Sequence, residues 1–377
     1  MRRNSRAAPR RGAAGGNRLV GVETPSPPNP PPQAGEGSLP LPRAGEGQGG
    51  GGSALPPEFA LIARHFRPLA GPGGLDLGDD AALLDPPPGR TLVLAADAMI
   101  AGVHFLPDDP PETIGRKLLR VNLSDLAAMG AVPLGYLMTT AFPPGLDEAW
   151  IAAFAAGLAA DQQEFGLTVL GGDTVSTPGP MALSLTILGH VAPGGALRRA
   201  GARPGDEVWV SGTVGDGALG LRALRGGVAD DAAGHLASRY RLPQPRLALG
   251  QALAGLARAA MDVSDGLVQD LGHLCRAAAP GPCGAFIEAA AVPLSPAARA
   301  ALAAEPALLA TALTGGDDYE LLFAAAPEDA GSVQARAEAV GMAVTRIGRF
   351  VPGEPVVRAI GGDGEPLALH TGGWSHF

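Results

Sequence analysis

Of the 28 Lys and Arg residues in this 377-residue chain only one is lysine, Lys117. It follows TIGR, so no GxxxxGK[ST] phosphate loop exists, and the strand lysine, HRD and DFG of a protein kinase are missing too. GxSxG and HExxH are also absent. Two cysteines, Cys275 and Cys283, are too few for a disulfide scaffold or a four-ligand zinc site. They lie in an Ala/Pro stretch without a His at ligand spacing and read as packing residues. Aromatics make up 4%, which disfavours a stacking platform for single strands. A net charge of −9 excludes the basic surface that binds a phosphate backbone, so no nucleic-acid partner is expected. No apolar run reaches 18 residues, so no membrane span is expected.

The 46% hydrophobic content and the length suit a soluble, cytoplasmic protein of two domains. Residues 1–54 stand apart. They are rich in Gly, Pro, Ser and Arg, repeat PPQAGEG as LPRAGEG ten residues on, and lack the apolar periodicity of a core or a targeting helix. We expect a disordered extension there. Its seven Arg and three Glu leave a charge of −13 on the remainder.

From residue 55 helical and extended patterns alternate, as in an α/β (α+β) fold. TLVLAA (91–96), VPLGYLMTTAF (132–142), LTVL (167–170), MALSLTILGHV (181–191) and EVWV (207–210) read as strands. Residues 56–66, 111–130 and 147–165 read as helices, and so do stretches near 215–225, 244–258 and 264–278. PGG (193–195) and RPGD (203–206) punctuate the chain. They divide it into an N-terminal domain over 55–195 and a C-terminal domain over 196–377.

The acids recur beside glycine or just after an apolar run. They stand in GDD (78–80), at Asp97, in NLSD (122–125), GGD (171–173), GDG (215–217), MDVSDG (261–266) and GGDDYE (315–320). Any one of these is an ordinary turn or helix cap. Six or more in one acidic body point instead to a shared site at the strand ends, where carboxylates hold Mg²⁺ against substrate phosphates. GDGALG (215–220) matches a dinucleotide fingerprint, but RGGVADDAAGH (225–235) offers no second strand to carry its acid.

In order, GDDAALL (78–84), AADAMIAGVHF (95–105), VNLSDLAAMGAVP (121–133), GGDT (171–174), RAGARPGDEVWVSGTVGD (199–216), MDVSDGLVQDL (261–271), GGDDYELLF (315–323) and GGWSHF (372–377) resemble thiamine-monophosphate kinase. That family belongs to the aminoimidazole-ribonucleotide-synthetase-like superfamily. The resemblance implies a two-domain fold whose N-terminal sheets form a dimer barrel in a homodimer, with a C-terminal α/β domain. It implies direct transfer of the γ-phosphoryl group of ATP to thiamine monophosphate, with several Mg²⁺ ions. By motif position, Asp79, Asp80, Asp97, Asp125, Asp173, Asp262 and Asp265 resemble metal ligands, and Asp125, Asp173 and Asp265 are the catalytic candidates. Gly172, Asp173, Arg199, Ser264 and Phe154 resemble the ATP contacts, and His104, Asp317 and Trp374 the thiamine-phosphate side. Ala95 and Ala96 stand where the family has Ser or Thr, and Asp317 where it has Glu. The alternatives are another ATP-dependent synthetase or maturation enzyme of the superfamily, or an inactive nucleotide-binding homologue.

Overall fold

A computed structural model describes residues 58–369 and 372–374, so the extension expected over 1–54 lies outside the described residues. In the N-terminal half the elements are α1 (Glu58–Leu61), β1 (Thr91–Ile100), α2 (Pro111–Ala128), β2 (Val132–Phe142), α3 (Glu148–Phe165), β3 (Thr168–Ser176) and β4 (Ala182–Val191). Local chemistry sets their ends. Proline occupies the first position of α2, where its missing N–H costs nothing. At α3 the Trp150 N–H donates to the Asp147 carboxylate at 2.7 Å, and Gly166 ends the helix at φ +71°.

The strands form one sheet in the order β1-β4-β2-β3, with β4 antiparallel to both neighbours and β2 parallel to β3. Side chains alternate across it. Leu183, Leu185 and Ile187 point inward to a core shared with Leu118, Leu119 and Phe154 of the two long helices. On the other face Leu94 pairs with Leu188, and Leu137 with Thr186. There Leu94 remains 62% exposed and Leu137 40%.

The C-terminal half contains β5 (Glu207–Ser211), α4 (Asp216–Leu224), α5 (His235–Arg241), α6 (Leu247–Leu253), β6 (Ala259–Asp262), α7 (Leu267–Arg276) and β7 (Gly284–Glu288). It continues with α8 (Pro296–Ala304), α9 (Leu308–Thr314), β8 (Leu321–Ala325), α10 (Ala330–Ala339), β9 (Val344–Val351) and β10 (Val357–Ile360). Its six-stranded sheet runs β10-β7-β9-β5-β8-β6. Here β5, β6 and β8 are buried along their whole lengths, as continuous apolar strands covered on both faces are.

Helix α2 ties the halves together. Its Ala127 and Ala128 pack in a cluster with Trp209, Leu249 and Phe323, and its buried Arg120 grips Asp161 through two nitrogens while also donating to the Pro243 carbonyl. The strand read over 132–142 has the observed bounds, and the helix read over 147–165 starts one residue later. The helices read over 244–258 and 264–278 are shorter, at 247–253 and 267–276.

Candidate active site

A cavity of about 940 Å³ opens where β1, α2, the turn after β6 and the segment before β8 converge, a size that suits small-molecule ligands. Helix α2 is its spine. Lys117, Val121 and Asp125 line it at successive intervals of four residues, a stripe roughly 12 Å long at 1.5 Å per residue.

One end is acidic. Asp97 comes from β1, Asp125 from α2, Asp262 from the end of β6 and Asp265 from the turn that follows. Neighbours hold these groups in place. The Asp97 N–H donates to Asn122 Oδ1 at 3.1 Å, and the Ser124 hydroxyl donates to Asp262 Oδ2 at 2.6 Å. Asp270 Oδ2 accepts the backbone N–H groups of Ser264, Asp265 and Gly266 at 3.0, 3.0 and 3.2 Å. That carboxylate is why α7 begins at Leu267: it satisfies the orphan N–H groups that precede the helix.

Burial, followed by the charges of Asp262 and Asp265, pushes the Asp97 carboxyl up to about 6. Burial also raises Asp262, and burial with Asp262 and Asp97 raises Asp125, opposed by Arg199. The acidic end therefore carries more negative charge than its own cations offset. Its carboxylate oxygens suit Mg²⁺. Among the described residues no three His, Cys, Asp or Glu side chains close into a cage. An ion here would complete its shell with phosphate oxygens and water.

The wall around Lys117 carries His104 and Asp317, and Tyr319 and Trp374 line the same cavity, Trp374 beside Asp265. His104 Nδ1 accepts the Ile100 N–H at 2.9 Å, which fixes the ring against the turn after β1. Asp317 and Tyr319 have φ of +71° and +52°, a strained left-handed backbone held by N–H donation to the Ser264 and Val263 carbonyls. Gly316 between these loops has no room for a side chain, since a Cβ would lie 2.2 Å from the Ser264 oxygen. The Trp374 N–H donates to the Asp265 carbonyl at 2.9 Å, and the ring is 53% exposed.

The residues read from sequence thus fall into groups. Asp97, Asp125, Asp262, Asp265, Arg199, Ser264, His104, Asp317 and Trp374 share the main cavity. Asp79, Asp80, Gly172 and Asp173 line a second cavity of about 650 Å³ on the outer face of the four-stranded sheet, with Leu137, Thr186 and Leu188. A Cβ at Gly172 would lie 1.7 Å from the Met138 oxygen, so β2 and β3 can approach there only around glycine.

Phe154 belongs to neither cavity, which corrects its placement beside the nucleotide. It is fully buried, stacked on Trp150 at 5.5 Å between ring centroids, because it lies on the core face of α3. The dinucleotide reading of GDGALG fails as well. The N–H groups of Gly215 and Gly217 donate to the Asp318 carboxyl at 2.7 and 3.0 Å, so a protein carboxyl group occupies the loop where a pyrophosphate would bind. Sequence reasoning missed Ser124, Asp270 and Lys117. Only the isolation of Lys117 among so many arginines marked any of them.

Comparison with known proteins agrees with this architecture. The family model "AIR synthase related protein, N-terminal domain" matches residues 78–191, and its C-terminal counterpart matches 203–360. The fold and the acid-lined cavity therefore define an AIR synthase-related protein of two α/β domains. Over 330 residues the chain is 46% identical to the thiamine-monophosphate kinase of Caulobacter vibrioides, spanning 86% of this chain and 92% of that one. It is 42% identical to the Escherichia coli K12 enzyme of the same name, spanning 85% and 98%. The crystal structure of thiamine-monophosphate kinase from Stenotrophomonas maltophilia K279a superposes with a TM-score of 0.69 at 41% identity, covering 77% of this chain and 91% of that one. AaThiL complexed with AMPPCP and TMP superposes at 0.67 and 30% identity, covering 85% and 97%. The chain belongs to the thiamine-monophosphate kinase family. The hydrogenase maturation protein HypE shares the fold, at 20% identity and a TM-score of 0.69.

Proposed function

We propose that the chain transfers the γ-phosphoryl group of ATP to the phosphate of thiamine monophosphate, yielding thiamine diphosphate and ADP. The observation that carries this reading is one cavity lined by four aspartates, Asp97, Asp125, Asp262 and Asp265, together with His104, Asp317 and Trp374. The relative AaThiL, complexed with AMPPCP and TMP, binds an ATP analogue and thiamine monophosphate together.

The attacking atom is an already ionised phosphate oxygen, so the protein needs no general base. Its task is to bring two anions together in line, which is positioning and electrostatics. Asp97, Asp125, Asp262 and Asp265 would hold Mg²⁺, which when bound neutralises the charge that develops on the transferring phosphoryl group. Arg199 places a guanidinium over the same end, suited to a nucleotide phosphate. Ser264 lies on the loop that Asp270 fixes, beside the nucleotide phosphates. For the thiamine moiety Trp374 would offer a face to the cationic thiazolium, and Asp317 a countercharge. His104 lines the same cavity, where it would lie beside the thiamine phosphate.

We further infer a cytoplasmic homodimer, with the chain divided between domains at residues 195 and 196. Among the described residues no helix is long and apolar enough to cross a membrane. Leu94, Leu137, Leu188 and Val175 spread along the uncovered face of the four-stranded sheet, and a second copy would cover them. Such pairing would enclose the second cavity, with Asp79, Asp80 and Asp173, against the partner chain. Leu94→Asp should convert the dimer to a monomer in size-exclusion light scattering, and a dimer that persists would remove the sheet face from the interface.

The deciding experiment incubates the purified chain with ATP, Mg²⁺ and thiamine monophosphate and quantifies thiamine diphosphate as its thiochrome. EDTA-sensitive product is the expected result. Nucleotide binding without product would move the reading to another acceptor or to an inactive homologue.

A further inference from the structure

The chain places arginine at every basic position except one. That one, Lys117, is fully enclosed at the cavity wall with 2% of its side chain exposed. A buried ammonium is costly unless its surroundings need it, and three groups surround this one. Its Nζ donates to the His104 carbonyl at 2.9 Å, lies 3.5 Å from Asp317 Oδ1, and sits 3.6 Å from the centroid of the Tyr240 ring. An ammonium has three N–H donors, and two oxygens with one aromatic face account for all of them. A guanidinium would not fit this space, because it is wider and planar and directs its donors in a fork.

The partners of Lys117 give the contact its meaning. His104 and Asp317 are the residues read onto the thiamine-phosphate end, and they come from distant parts of the chain. His104 belongs to the tight turn after β1, and Asp317 has a left-handed backbone before β8. Neither segment is held by regular structure at that point. The Tyr240 hydroxyl adds a second donor to the His104 carbonyl, at 3.3 Å. Helix α2 thus fixes the substrate end through Lys117 and carries the acidic end through Asp125, two turns further along.

We propose that Lys117 is a positioning residue for thiamine monophosphate: it pins the His104 turn and the Asp317 carboxylate to α2, at a set spacing from the acidic end, without touching the substrate. This rests on the function proposed above.

The test replaces the ammonium with an apolar group of similar length, Lys117→Met, and varies each substrate separately. Wild-type turnover is measured first. Its absence would overturn the assigned function, a result separate from failure of this inference. With wild type active, we expect the KM for thiamine monophosphate to rise at least tenfold while the KM for ATP stays within twofold. An unchanged KM for thiamine monophosphate, or equal rises for both substrates, would overturn the positioning role, since simple packing damage does not choose between substrates.

A second measurement needs no mutant. The full chain labelled with ¹⁵N-lysine gives one side-chain ammonium signal. Thiamine monophosphate alone should move that signal, and a non-hydrolysable ATP analogue alone should leave it in place. A signal that ignores thiamine monophosphate, or that answers equally to the nucleotide, would also overturn the proposal.

Discussion

Asp317, in the segment before β8, and Asp97, Asp125 and Asp262, on β1, α2 and β6, line one cavity yet meet opposite electrostatic surroundings. Asp317 has Lys117 beside it at 3.5 Å. Asp97, Asp125 and Asp262 are each raised first by burial. Asp97 is then raised by Asp262 and Asp265, Asp125 by Asp262 and Asp97, and Asp262 by Asp265, while Arg199 opposes the rise at Asp125 and Asp262. Asp317 has its countercharge within the fold. Under the proposed function the acidic group would gain positive charge from bound Mg²⁺, so its raised carboxyls mark a candidate ligand site.

Asp125→Asn should break this contrast most severely. It keeps shape and removes one anion from the acidic end, and kcat should fall on the order of 10²–10³-fold, as when one preorganised electrostatic contact is lost from a transition state. Circular dichroism should show the fold intact. Near-normal turnover would remove Asp125 from the metal set.

A pH series should sharpen the contrast. In the unfolded chain these carboxyls ionise near 3.8, whereas in the folded chain Asp97 is held near 6, Asp270 near 7 and the buried Asp318 near 8. Between those limits the folded state binds more protons than the unfolded state, so stability falls as pH rises from about 4 to about 8. In EDTA the Tm should therefore drop across that window. Mg²⁺ should restore it most at the alkaline end, where the acidic cluster is most ionised. A magnesium effect independent of pH would argue against binding at those aspartates.

The smallest effect is expected at Trp374. Trp374→Ala removes an aromatic face worth about 0.5–2 kcal/mol to a cation, so the KM for thiamine monophosphate should rise roughly 2- to 30-fold. The kcat should change little. An equal change in the KM for ATP would show that Trp374 serves the nucleotide instead.

Much of this was open to reading in the linear chain. Strand β2 follows from an apolar run bounded by Gly130 and Pro143, and α3 from Asp147 before an apolar helix and Gly166 after it. The aspartates of the main cavity were found by their setting beside glycine and strand ends. The sequence resemblance also supplied His104, Asp317 and Trp374. The helix read from residue 264 was too long, because Asp270 reaches back to hold three N–H groups of the preceding loop. That bond competes with helix, and nothing in composition announces it.

Local pattern by itself determined the alternation of helices and strands and the acidic character of the site. These depend on spacing along the chain, and residue identity carries that information. Tertiary structure alone decided that Phe154 packs in the core, that Asp79 and Asp173 line a cavity apart from Asp125, and that Lys117 joins the His104 turn to the Asp317 segment. Each of those facts depends on which distant segments meet. The packing of α2 between two sheets settles those meetings, because burying its apolar faces leaves one arrangement for the charged side chains it carries.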